Sequence, residues 1–424
     1  MTKERTERRV ILVGAGDDRE MGELGRLVGT LGLEVVGILE QGRRDGVGYL
    51  GRGKREELAG LVGRVGAEAV VTDDELSPSQ ARVLERAAGV PVVDRTALII
   101  RIFEAHARDA ASRLEVELAE LTYLLPRVKG RNEALSRLGG GVGTRGPGEQ
   151  QLEYDRRAIR ERMGRIRGKL EGERSARKAR GTRLKKQGPP VVALVGYTNA
   201  GKTTILNALS GEDRPAADRL FETLETVTRL VRGTPSEGNG HDGAVARPDF
   251  VLTDTVGFIR KLPTQLVHSF ASTLEAARDA DVIVLCADAS SEKLEEELRT
   301  VEDTLGGAFG ADSSYHSRRE AILCLNKSDL LSEKRSKELA ASYPGAVLMS
   351  ARLGASPLLV AINESLSRSR VRMRLLIPHA EYGAVNGLYG RAEIHAREDT
   401  AEGLELDVTL PKPQARRYAH YRTA

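Results

Sequence analysis

The sequence predicts an α/β protein built around a P-loop nucleotide domain. A small α/β domain and a long antiparallel helical hairpin precede that domain, and a small α+β domain follows it. Three observations predict this. Apolar runs alternate with amphipathic stretches over residues 9–94 and again over 191–368, the pattern of a parallel sheet covered by helices. A narrow helical periodicity fills the stretch between them. Finally, Gly196-Tyr197-Thr198-Asn199-Ala200-Gly201-Lys202-Thr203 joins an apolar run to a helical pattern and fits the phosphate-cradling GxxxxGK[ST] loop. The expected domains are 1–95, 96–187, 188–368 and 369–424.

Val10–Val13, Val35–Leu39, Ala69–Val71 and Val90–Val93 read as the first strands, with helices at Met21–Leu31 and Ser77–Ala88. From Thr96 the pattern turns helical. Leu114, Leu118, Leu121, Leu125 and Val128 form one seam, and Leu152, Ile159, Met163, Ile166 and Leu170 a second. Between the seams lies the glycine-rich run Gly139–Gly148, read as non-helical. Gly188-Pro189-Pro190 closes the second helix. Residues 234–247 are polar and glycine-rich, which suits a hairpin tip. The C-terminal unit shows strand signals at Val371–Ile377 and Leu404–Leu410.

Composition narrows the function classes. The chain has 424 residues, 40% hydrophobic and 30% charged. Aromatics make up 4% and Trp is absent, which disfavours a nucleic-acid surface built on aromatic stacking. No apolar run approaches the ~20 residues a membrane span requires, and the charged start Met1–Arg5 leads into no signal-peptide core. A cytoplasmic protein without a transmembrane segment is expected. Cys286 and Cys324 sit in apolar strand-like runs and read as buried free thiols.

In the P-loop, glycines let backbone N–H groups turn onto phosphate oxygens. Lys202 brings a point charge to the β- and γ-phosphates, and the Thr203 hydroxyl suits Mg2+. Asp254-Thr255-Val256-Gly257 follows an apolar strand. Its Asp can hold Mg2+ through water, and the Gly257 N–H can sense the γ-phosphate. Lys202 and Gly257 are therefore the catalytic candidates. Phe221-Glu222-Thr223-Leu224-Glu225 lies where a first switch belongs, with Thr223 the second hydroxyl for Mg2+. Asn326-Lys327-Ser328-Asp329 ends a strand. The Asp329 carboxylate matches guanine N1–H and N2–H2, a donor pair that adenine lacks, so the loop selects GTP. Ser350-Ala351-Arg352 ends the next strand, where backbone N–H groups can reach the guanine oxygen. Four such motifs in order, each at a strand end, make 188–368 a G domain that binds GTP and GDP. Phe258 follows the DTVG motif and cannot orient an attacking water, so slow intrinsic hydrolysis is expected, helped by a partner. Arg229 and Arg260 are weaker candidates for an arginine finger.

From Arg156 to Lys186 the second helix carries fourteen Lys and Arg against three Glu. So one-sided a run suits a polyanion, RNA foremost. Gly141, Gly143, Arg145, Gly146, Arg156, Arg157 and Arg160 are the RNA-binding candidates, since bare backbone beside arginines approaches phosphates closely.

Gly51-Arg52-Gly53-Lys54, Asp94-Arg95-Thr96-Ala97-Leu98-Ile99 and Gly139 through Glu153, followed by Asp155-Arg156-Arg157, carry a resemblance. With the G motifs, the chain resembles the HflX family of bacterial GTPases from about residue 9 to residue 410. The resemblance implies a cytoplasmic GTPase that binds the large (50S) ribosomal subunit and acts in stress-linked ribosome splitting or rescue. The N-terminal domain and glycine-rich loop would then contact ribosomal RNA, and a monomer is expected. The chain departs from the family pattern in three places. Gln150 replaces the usual Thr, Glu225-Thr226-Val227 replaces Asp-Pro-Thr after the switch Thr, and the C-terminal domain is only loosely similar. An alternative reading is a GTP-gated RNA-binding factor in ribosome assembly. An RNA-dependent ATPase is disfavoured by Asn326–Asp329. ATP use through the N-terminal domain, linked to the family, finds no Walker-type loop before residue 196.

Overall fold

Three separate sheets organise the described residues. The computed structural model describes residues 8–130, 147–187, 189–211, 227–233, 249–261, 277–309, 320–368, 370–388 and 392–423. The candidates Phe221, Glu222, Thr223, Leu224, Glu225, Gly141, Gly143, Arg145 and Gly146 lie outside these residues. The chain divides into two units: 1–173 with 217–225 and 260–271, and the remainder.

In the first unit, β1 (Arg9–Ala15), β2 (Glu34–Gln41), β3 (Ala69–Thr72) and β4 (Val92–Val93) form a parallel sheet in the order β2-β1-β3-β4. β-Branched runs favour these strands, and Ile11, Val13 and Val70 bury beneath the helices. Three of the helices are α1 (Met21–Thr30), α2 (Arg52–Val65) and α3 (Pro78–Ala88). The Ser77 side chain and Gln80 close a capping box on α3. Sequence patterning did not reveal α2, whose buried face is only Leu58 and Val62.

The single long helix expected from Thr96 is two, α4 (Arg95–His106) and α5 (Ala110–Leu124), each opened by an aspartate cap, Asp94 and Asp109. Arg95 is buried, with its guanidinium on Glu23 and on Asp73 at 2.7 Å. The first seam is only half-buried. Glu115, Val116 and Ala119 lie deepest instead, because α5 also packs on α4. The second seam holds better: Met163, Ile166 and Leu170 are buried on α6 (Pro147–Gln187). Pro147 and Gly148, read from the sequence as part of the non-helical glycine run, are already helical. Arg162 reaches Glu117 of α5 with two bonds, 2.6 and 3.0 Å.

The second unit holds a six-stranded sheet in the order β10-β9-β8-β5-β7-β6. Its strands are β5 (Val191–Gly196), β6 (Val227–Val231), β7 (Phe250–Asp254), β8 (Val282–Asp288), β9 (Glu320–Asn326) and β10 (Val347–Leu348). Only β6 runs antiparallel to its neighbour. Central β5, β7 and β8 are almost continuously apolar, as strands covered on both faces must be. α7 (Lys202–Ser210), α8 (Leu294–Phe309), α9 (Glu333–Ser342) and α10 (Ser356–Arg368) complete this fold. Cys286 and Cys324 pair in register on β8 and β9 as buried free thiols. The neighbouring Cys324 thiol, together with burial, pushes Cys286 well above the ordinary thiol range.

β11 (Arg370–Ile377), β12 (Glu393–Asp399) and β13 (Leu404–Pro411) form an antiparallel sheet, order β11-β13-β12. Leu375, Ile377, Leu404, Leu406 and Leu410 bury one face. Strand β12 adds to the two strands the sequence announced.

Candidate nucleotide site

Five parallel strands of the second unit end on the same edge of their sheet, and the sequence motifs sit on those ends. Central β5 is flanked by β7 and β8, so it marks the point where chain order reverses, the usual ligand crevice of such sheets. Gly196 ends β5 against the Cys286 carbonyl with no room for a Cβ. Asn199 and Gly201 take left-handed φ values of 64° and 87°. That curl brings the loop back over the start of α7.

Lys202 is buried, and its Nζ donates to the carbonyls of Gly196 (3.1 Å) and Tyr197 (2.9 Å). Burial pushes its pKa below the ordinary lysine range, while the charge of Asp254 opposes the shift. A buried ammonium of this kind gains from incoming phosphate oxygens. The Thr203 hydroxyl donates to Asp254 Oδ2 at 2.9 Å, so the two proposed Mg2+-side groups meet. Thr255 instead turns its hydroxyl to the Leu194 carbonyl, 2.7 Å away. It is thus a structural part of the DTVG segment, and neighbouring Val256 is buried.

The segment after Asp254 lies along the P-loop. The Thr198 N–H donates to the Phe258 carbonyl at 2.7 Å, and the Phe258 N–H donates to the Gly196 carbonyl at 3.1 Å. Gly257 is squeezed beside Thr198: a Cβ there would stand 2.8 Å from Thr198 Cα. This close approach explains glycine at 257 independently of any phosphate. The Phe258 side chain is buried. Arg229 lies on β6 and donates to the Thr228 carbonyl. Arg260 belongs to the first unit, where it pairs with Glu20 at 3.6 Å.

At the other end of the site, Asn326 joins two loops. Its Nδ2 donates to the Ala200 carbonyl at 3.0 Å, and its Oδ1 accepts from the Ala351 N–H at 2.9 Å. The Ser328 N–H donates to the Met349 carbonyl at 3.1 Å. These bonds bring Ala200, Asn326, Ser328, Ser350 and Ala351 into one constellation. Asp329 and Arg352 are exposed, leaving the Asp329 carboxylate accessible for a base. Thr198 Oγ1 and Ser350 Oγ are buried without a hydrogen-bond partner among the described residues. Lys327 takes a left-handed φ of 65°. Its Nζ pairs with Asp288 at 2.7 Å. Asp288 thus adjoins these loops, and the motifs do not name it. An Asp at the apolar strand's end, followed by Ala289-Ser290, was the available signal.

Arg156, Arg157 and Arg160 all fall on α6 in the first unit. Arg157 and Arg160 are exposed, and Arg157 pairs with Glu161 at 3.0 Å.

Three family models match successive stretches: GTP-binding GTPase N-terminal at 18–104, GTP-binding GTPase Middle Region at 106–183, and 50S ribosome-binding GTPase at 191–327. The chain is 40% identical over 408 residues to GTPase HflX of Caldanaerobacter subterraneus subsp. tengcongensis, a match spanning 95% of this chain and 90% of that one. It is 35% identical over 403 residues to GTPase HflX of Escherichia coli K12, spanning 93% and 90%. A GTP-binding protein of Sulfolobus solfataricus, solved with GDP, aligns at 21% identity and a TM-score of 0.43, covering 85% of this chain and 99% of that one. Sequence identity of this extent, with all three family regions in order, makes the chain a GTPase of the HflX family.

Proposed function

We propose that this GTPase binds the large ribosomal subunit and splits or rescues stalled ribosomes under stress. The observation that carries the proposal is the charge of α6, where fourteen cations face three anions between Arg156 and Lys186. The ribosome-binding description of the family model over 191–327 supports it. A helix so charged gains affinity by displacing counterions from RNA phosphates. The glycine-rich stretch before it, with Gly141, Gly143, Arg145 and Gly146, would add close backbone contacts. We place the protein in the cytoplasm as a monomer.

Within the G domain, the P-loop N–H groups and Lys202 hold the phosphates. Asp329 reads guanine, and Asn326 keeps the two halves of the site in register. Thr203 Oγ1 and Asp254 Oδ2 are hard oxygen donors 2.9 Å apart, a donor set that fits Mg2+. Thr203 would ligate it with Thr223, and Asp254 would hold it through water. When bound, Mg2+ neutralises charge between the β- and γ-phosphates. The buried Phe258 offers no hydrogen bond to an attacking water, so faster hydrolysis depends on a group or an ordering supplied by the ribosome.

Co-sedimentation with 50S subunits and 70S ribosomes in GDP, GTP and a non-hydrolysable analogue tests the partner. Light scattering of 70S ribosomes tests splitting. Triphosphate-dependent binding with a fall in scattering is expected. Binding to 50S alone without splitting would favour the assembly reading, and no binding in any state would sink the ribosomal one.

A further inference from the structure

The Asn326–Asp329 loop holds an arrangement that base reading alone does not explain. Asp288 ends β8 directly opposite Asn326 of β9 in the parallel register. Its Oδ1 accepts from the Ser290 N–H at 2.9 Å and the Ser290 hydroxyl at 2.6 Å. That pair pins the carboxylate and leaves Oδ2 aimed at Lys327 Nζ, 2.7 Å away. The Ala289 N–H donates to the Asn326 carbonyl at 2.9 Å, which ties the backbones of the two strand ends together. The ion pair is partly shielded, with side-chain exposures of 24% for Lys327 and 20% for Asp288.

Lys327 carries a conformational cost at this position. Its φ of 65° lies in the left-handed region, which disfavours a residue that carries a side chain. Such backbone persists only where its surroundings over-determine it. Here backbone bonds from Ser328 N–H to the Met349 carbonyl and from Leu330 N–H to the Lys327 carbonyl, 3.1 Å each, hold the turn, and the ion pair to Asp288 is its side-chain anchor. Lys327 also stands two residues before Asp329. Released from Asp288, its ammonium is free to swing into solvent or toward the Asp329 carboxylate. Either movement harms base recognition: the first relaxes the turn that presents Asp329, and the second occupies the acceptor that guanine needs.

We propose that Asp288 is a positioning residue of the guanine site: through Lys327 it fixes the left-handed turn that presents Asp329, and so sets how long guanine nucleotide stays bound. This rests on the assignment of Asp329 to the guanine base. Asp329→Asn tests that assignment by itself, as a loss of GTP affinity with a gain for xanthosine triphosphate.

The experiment is a double-mutant cycle in the full-length protein. Dissociation of a fluorescent GDP analogue is followed by stopped flow, and KM and kcat for GTP are measured in parallel. Asp288→Ala should speed dissociation about tenfold, a coupling of ordinary size for a touching charged pair. The loss should fall on KM rather than kcat. Asp288→Asn keeps an acceptor for Lys327 and should recover most of the affinity. In a Lys327→Met background, which keeps the apolar stem and removes the ammonium, Asp288→Ala should add less than about twofold. Should Asp288→Ala fail to fold, Asp288→Leu, which also removes both carboxylate oxygens, takes its place in the cycle with the same expectations. Additive effects of the two substitutions would overturn the proposal, as would unchanged dissociation in a folded Asp288→Ala protein. If Asp329→Asn alone leaves GTP affinity intact, the base assignment is the part that fails.

Discussion

At the level of single residues, the candidate site sets a buried charge against an exposed one. Lys202 is shut in beneath the P-loop, while Asp329 stands open at the end of β9. Replacing Asp329 by Asn puts an amide donor opposite guanine donors. It should weaken GTP binding by about 1.5–3 kcal/mol, the worth of a hydrogen bond to a charged group. Xanthosine triphosphate should bind better, and titration of the two nucleotides measures both effects. Phe258 calls for a gentler change. Truncating a buried phenylalanine to alanine costs about 3–5 kcal/mol of stability, so Phe258→Leu is the cleaner probe. Single-turnover hydrolysis by that variant should stay within about tenfold of the parent, roughly 1.4 kcal/mol in barrier. A collapse of the rate in a folded Phe258→Leu protein would give Phe258 a catalytic part. Lys202, Thr203, Asp254, Asn326 and Asp329 were all legible in the sequence because short motifs name them. Asp288 was not, since its meaning depends on Lys327, a residue that follows the neighbouring strand.

Among the elements, legibility followed apolar content. The strands β1, β3, β5, β7 and β8 are largely buried and announce themselves as nearly unbroken apolar runs. Strand β12 reads Glu-Ile-His-Ala-Arg-Glu-Asp, and as an edge strand it needs little apolar surface. Helix α2 hides for a similar reason, with only two buried side chains. The seam on α5 misled because its helix serves two neighbours, which widens and rotates the buried face away from heptad positions. Helix α4 carries a feature that no periodicity reveals: Arg95, buried between Glu23 of α1 and Asp73 after β3. Arg95→Ala leaves those carboxylates buried without their guanidinium and should cost about 3–5 kcal/mol. Chemical denaturation of the full chain measures this loss, and a loss below about 1 kcal/mol would show that Arg95 is not a support of the N-terminal sheet.

Across the whole molecule, charge is distributed very unevenly. The net charge is only +4, but the Arg156–Lys186 stretch, with fourteen cations and three anions, carries +11. The rest of the chain therefore carries −7, the difference between those two values. A polyanion meets one strongly cationic segment in a chain whose remainder is net negative. Arg157→Glu with Arg160→Glu should weaken ribosome binding and lower its salt slope by about one for each phosphate no longer neutralised. GTP affinity, measured separately, should hold. Co-sedimentation across a salt series gives both slope and affinity, and unchanged binding at every salt would place the RNA-binding surface elsewhere.

The Asn326 bridge bears on the order in which this chain matures. The N-terminal sheet is complete by Val93, but the candidate nucleotide site opens at Gly196 and closes only at Ala351, the residue whose N–H the Asn326 amide holds. Parallel strands so far apart along the chain pair late, and synthesis runs from the N-terminus. A growing polypeptide thus presents a finished first sheet and a half-built cradle for as long as translation needs to reach the last motif. Nascent chains halted at successive lengths and exposed to a photo-crosslinkable GTP should become labelled only after Ala351 has cleared the exit tunnel. Before that point the protein should be silent as a GTPase, however complete its phosphate loop.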